Sequence, residues 1–66
     1  MGKIMKVGEV ANYLGLATET IYRKARIGEI PAVKIGRSWR FPKDLIDQWI
    51  AEKAEEHRRE AKKEDG

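Results

Sequence analysis

VGEVANYLGLATETIYRKARIG, residues 7–28, decides the fold. In its first half Val7, Val10, Ala11 and Leu14 recur at helical spacing, and Gly15 follows where a left-handed residue commonly ends a helix. In its second half Thr18 is the expected N-cap, Ile21 and Ala25 share one side, and Gly28 closes a run through Ile27. Two short helices joined across Gly15 and Leu16 form a helix-turn-helix unit.

Downstream, Pro31 stops further helix, and Ala32-Val33-Lys34-Ile35 alternates apolar with polar as a half-buried strand does. Trp39-Arg40-Phe41 is its expected partner, joined through Gly36-Arg37-Ser38. That register turns Val33, Ile35, Trp39 and Phe41 to the core and Lys34 and Arg40 outward. Pro42 suits the entry to a third helix, whose apolar stripe is Leu45, Ile46, Trp49 and Ile50. The predicted architecture is mostly α with a small two-stranded antiparallel hairpin, a winged helix-turn-helix over residues 4–52. Residues 53–66 form a charged tail, helical or frayed, with pairs such as Glu55 with Arg59 and Glu60 with Lys63.

The composition narrows the function classes. Sixty-six residues hold one small core, and with no cysteine that core must be held by packing alone. At 41% hydrophobic and 38% charged, the chain is too apolar for a disordered tail and too charged for a membrane protein. No apolar run reaches the roughly 20 residues of a membrane span, and no secretory leader is visible, so a cytoplasmic location is expected. Of the net charge of +3, the body through Ile50 carries nine basic against five acidic residues, whereas the remainder carries five against six. A basic body points to a polyanionic partner.

On the second helix, Glu19, Tyr22, Arg23 and Arg26 fall within one arc opposite Ile21 and Ala25. Arginine can read guanine with two hydrogen bonds and glutamate can accept from the cytosine amino group, so this arc suits base edges in a major groove. With Thr18 at the start of the same helix they are the candidate DNA contacts there. Charged helix faces are ordinarily just solvated, but a position in a helix-turn-helix favours recognition. Lys34, Arg37 and Arg40 surround the small hairpin and suit phosphates or an adjacent minor groove. Cations also guard exposed strand edges, so one alone would say little. Trp39, Phe41 and Trp49 are expected in the core rather than as stacking platforms, Tyr13 is expected to be partly buried, and Tyr22 fits groove or core.

Catalysis has no comparable support. His57 is the single histidine and Ser38 the single serine, neither with a partner at useful spacing. The tail acids alternate with bases as a solvated surface does. Neither an enzyme, a metal nor a cofactor is expected.

Taken together, the EVANYLGL helix and turn, the TETIYRKARIGEIPAVKIG segment and the GRSWRFPKDL wing resemble the excisionase-type, MerR-like winged helix-turn-helix family over about residues 4–50. The resemblance implies a recognition helix over Thr18–Ile27 and a wing over Ala32–Phe41. Departures are Lys6 and Ala17, where the family has helix-capping serine or threonine, and Lys24, where it often has an apolar residue. Family members include excisionases, which bend DNA and direct a recombinase, and small transcription regulators. The implied partners are double-stranded DNA and either a recombinase or the transcription machinery. A monomer is expected in isolation, with cooperative assembly on DNA left open. The rival reading is a protein-interaction adaptor whose tail recruits a recombinase or polymerase; RNA binding ranks third, because A-form grooves exclude a reading helix.

Overall fold

The computed structural model describes residues 2–65, with side chains through residue 60. Its elements are β1 (Ile4–Met5), α1 (Val7–Leu14), α2 (Thr18–Arg26), β2 (Val33–Ile35), β3 (Ser38–Pro42) and α3 (Lys43–Asp65). The expected winged helix-turn-helix is present, mostly helical with a small antiparallel sheet. One strand is additional: β1 extends the hairpin to three strands in the order β1-β3-β2, with Ile4 opposite Pro42 and Met5 opposite Phe41. A two-residue strand is too short to show alternation in sequence.

The helix ends explain the turn between α1 and α2. Lys6 caps α1 with no side-chain acceptor of its own, and Glu9 Oε1 instead accepts from the Lys6 N–H at 2.9 Å, the reciprocal half of a capping box. At the other end Gly15 takes φ 71°, and the Leu16 N–H donates to the Ala11 carbonyl at 2.9 Å. Thr18 is not the cap of α2. The turn leaves the extended residue at Ala17 (φ −72°, ψ 149°), so Thr18 is already the first helical residue, one position too late to cap. α2 closes with Gly28 at φ 77°, its N–H donating to the Ala25 carbonyl at 3.2 Å while the Glu29 N–H reaches the Lys24 carbonyl at 2.9 Å. This paired closure is a Schellman motif. Lys24 adds a 3.2 Å ion pair to Glu29, which fastens the exit loop.

The hairpin register departs from expectation by one residue. Ile35 faces Ser38, Lys34 faces Trp39 and Val33 faces Arg40, so the loop is the two-residue Gly36-Arg37 rather than a three-residue link. Gly36 alone has a positive φ there (63°), the pattern of a II′ turn. Because side chains alternate, a one-residue shift exchanges faces. Val33 and Ile35 are therefore exposed (43% and 61%) rather than in the core, and Lys34 shares a face with Trp39 and Phe41 instead of with Arg40.

The core is Met5, Val10, Ala11, Ile21, Ala25, Ile30, Phe41 and Ile46, with Val7, Leu14, Ala32, Trp39 and Trp49 packed partly buried against it. It lies between the two short helices, the sheet and the first turns of α3. The apolar stripe of α3 narrows to Ile46 and Trp49, because Leu45 and Ile50 are exposed. Beyond the core α3 continues as a single helix, and residues 50–60 are exposed. In the tail Glu55 pairs with Arg58 at 3.7 Å rather than with Arg59, one residue closer along the helix. The expected Glu60–Lys63 pair lies outside the described side chains.

Candidate nucleic-acid interface

Burying Ile21 and Ala25 against α1 fixes the rotation of α2 and turns the opposite arc to solvent. Glu19, Tyr22, Arg23 and Arg26 are exposed on that arc, and together with Trp39 of β3 they line one shallow cleft between α2 and the hairpin. The four residues read from helical spacing thus converge in space. Thr18 is exposed at the first position of the same helix.

The three hairpin cations do not act as one group. Lys34 lies beside the cleft, its Nζ 5.4 Å from the centre of the Trp39 ring, a cation–π contact. Arg37 is exposed at the tip. Arg40 points to the opposite face, partly buried, and its guanidinium donates to the Trp39 carbonyl at 2.9 Å. The expectation that Lys34 and Arg40 share an outward face fails for the same register reason as above.

Trp39 is the residue of this cleft that the sequence reading assigned elsewhere. Its size and its place two residues from Phe41 suggest a core aromatic, and it does pack against the core. A two-residue turn beginning at Gly36 is the signal that sets it opposite Lys34 and beside α2. Tyr22, which the sequence left between groove and core, is 43% exposed and faces the cleft.

A second polar cluster, unseen in the sequence, ties α1 to α3. The Tyr13 hydroxyl donates to Asp47 Oδ1 at 2.6 Å, Lys43 Nζ donates to Asp47 Oδ2 at 2.8 Å, and the same ammonium sits 5.3 Å from the centre of the Tyr13 ring. Tyr13, expected to be partly buried, is 47% exposed. The Lys43 hydrogen bond, followed by that of Tyr13, holds the Asp47 carboxyl below its ordinary range, and Asp47 in return raises Lys43. Glu9 is likewise lowered, chiefly by the Lys6 backbone N–H and then by Lys3. These groups serve helix packing and capping; they lie away from the α2 cleft.

Among the described residues no three His, Cys, Asp or Glu side chains are grouped to hold a metal ion, and no helix is long and apolar enough to cross a membrane.

Two Mycobacterium tuberculosis proteins, from strains CDC 1551 / Oshkosh and ATCC 25618 / H37Rv and each named "Putative DNA-binding protein", are 42% identical to this chain over 38 residues. The alignment covers 58% of this chain and 49% of each relative, so the chain spans about half the length of the curated relatives it matches. No solved structure gives a significant match. Residues 4–54, from β1 into the middle of α3, match the helix-turn-helix domain family, and the chain belongs to that family.

Proposed function

We propose that this chain binds double-stranded DNA sequence-specifically, as an excisionase-like accessory factor in recombination or a small transcriptional regulator of the MerR-like kind. The observation that carries the reading is the exposed arc of Glu19, Tyr22, Arg23 and Arg26 on the second helix of a helix-turn-helix. In this reading α2 enters the major groove, where Arg23 and Arg26 reach guanine edges and Glu19 accepts from a cytosine amino group. Thr18 contacts the backbone at the start of the helix. Lys34 and Arg37 hold the flanking phosphates or the adjacent minor groove, and Arg40 adds charge from the far face of the hairpin. The family match and the names of the mycobacterial relatives support DNA as the partner.

The test is a mobility shift with duplex DNA and duplex RNA across a salt series. Retardation of duplex DNA that weakens with salt, with little effect on duplex RNA, is the expected result. Equal retardation of both, or of neither, overturns the reading.

The adaptor reading draws on one observation, the exposed length of α3 through residue 60. Under it, residues 53–66 recruit a recombinase or polymerase and DNA contact is secondary. Truncation of the tail separates the two readings, because only the adaptor reading loses its partner with residues 54–66.

A further inference from the structure

One phosphodiester strand separates any major groove from the minor groove beside it. If α2 occupies the first and the hairpin tip the second, that strand must pass between them. The cleft at that place is lined by Tyr22, Arg23, Arg26 and Trp39, with Glu19 at the N-terminal end of α2. Trp39 lines this cleft, and among the described residues its indole N–H has no hydrogen-bond partner and is not sealed from solvent. Lys34 stands over the ring at 5.4 Å, so a cation and a neutral donor flank the same passage. The Glu19 carboxylate would repel a phosphate, which directs the strand to the Trp39 side of the cleft and leaves Glu19, Arg23 and Arg26 for base edges.

We propose that Trp39 is a DNA-backbone contact: its indole N–H donates to a phosphate oxygen of the strand threaded between α2 and the hairpin, while Lys34, held over the ring, neutralises the same phosphate or its neighbour. The inference rests on the DNA-binding reading and adds a residue, a ligand atom and a role to it. Tryptophan can donate but not accept, which suits an anion and gives no preference among bases. Trp39 therefore adds affinity without sequence preference.

The contact has a signature that a contact made by a cation lacks. A neutral donor releases no counterion, so its loss lowers affinity equally at every salt concentration, whereas loss of a cation also flattens the dependence on salt. Trp39→Phe keeps an aromatic ring against the core and removes the donor together with the ring that carries it. It is expected to weaken binding about tenfold, in line with one hydrogen bond to a charged group, with an unchanged salt slope. Lys34→Ala is expected to reduce that slope by about one.

The experiment uses a labelled mixed-sequence duplex of DNA. Anisotropy reports binding by the full chain, its W39F variant and a W49F variant in which Trp39 is the single tryptophan. In W49F, acrylamide quenching of Trp39 reports its accessibility with and without the duplex. The proposal expects Trp39 to be quenched in the free protein and shielded in the complex, and W39F to bind about tenfold more weakly at each salt concentration. Should W39F fail to fold, the shielding of Trp39 in W49F decides alone. Binding with Trp39 equally quenched in both states, or a folded W39F that binds like the parent, overturns the inference and leaves the DNA reading standing. Absence of any anisotropy change with the parent chain removes both.

Discussion

The Tyr13 hydroxyl donates a 2.6 Å hydrogen bond to Asp47 Oδ1 across 34 residues of sequence, joining α1 to α3. Lys43 completes the cluster from one turn before Asp47 on the same helix. The link adds a polar tie to the apolar packing of Ile46 and Trp49 that seats the long helix on the body of the domain.

Tyr13→Phe should therefore lower the melting temperature by a few degrees and make the acid limb of the stability profile shallower. Asp47 and Glu9 are lowered in the folded state, so their contribution is full above the ordinary carboxylate range and is lost as pH falls through their depressed values. Lys43 is raised, so its contribution is full below its ordinary value of 10.5 and is lost as pH rises beyond it. Thermal melts of the parent and Y13F between about pH 2 and 7 check the acid limb, where both lowered carboxyls titrate. Identical acid limbs would show that the Tyr13 contact does not stabilise the Asp47 carboxylate.

Ala17 occupies an N-cap position with the extended backbone that a capping side chain requires, yet it offers no acceptor. Ala17→Ser should stabilise the domain by about 1 kcal/mol. The gain should appear as a higher urea midpoint with an unchanged slope. A lower midpoint would mean that the turn cannot present a side chain toward the first N–H groups of α2.

Much of this was legible in the sequence because the carriers were local. Two glycines at helix ends and the spacing of Val10, Ala11, Ile21 and Ala25 were enough for the helix-turn-helix, and the exposed arc of α2 followed from which side was apolar. The hairpin was harder. Ser38 reads equally well as turn or strand, and the difference of one residue moves Val33 and Ile35 out of the core and Trp39 beside α2. Met5 and Ile30 entered the core from segments without periodicity, a two-residue strand and a loop. The Tyr13–Asp47 contact depends on the crossing of α1 and α3, which no spacing along the chain encodes.

The split of hairpin cations predicts unequal mutant effects. Lys34 beside the cleft and Arg37 at the tip should each reduce the salt slope by about one when changed to alanine. Arg40→Ala should affect it less, because its side chain lies on the other face and is engaged with the Trp39 carbonyl. Anisotropy titrations at several salt concentrations measure all three. An Arg40→Ala loss equal to that of Arg37→Ala would place the DNA across both faces of the hairpin.

Removal of residues 54–66 should leave folding and DNA affinity nearly intact. Ile46 and Trp49, the α3 residues packed into the body, remain, and exposed intrahelical pairs such as Glu55 with Arg58 contribute only about 0.3–0.5 kcal/mol each. A chain ending at Lys53 should melt within a few degrees of the parent and shift duplex DNA at nearly the same concentration. Recruitment of a protein partner, if the tail carries it, is what should disappear. A folded truncation that no longer binds DNA would place part of the interface in the tail.

Reading of base edges by α2 is tested by comparing a preferred with an arbitrary DNA sequence. Duplexes enriched by the parent chain from a random pool supply a preferred site, and a scrambled duplex of equal length supplies the reference. Binding of the parent and of Arg23→Ala to both is the most direct measurement. Arg23 faces the cleft from the middle of α2, and loss of a bidentate base contact costs about 1–3 kcal/mol of discrimination. Arg23→Ala is expected to lose that much on the preferred duplex and far less on the scrambled one. An equal loss on both duplexes, or no loss on either, would contradict the reading of base edges by α2.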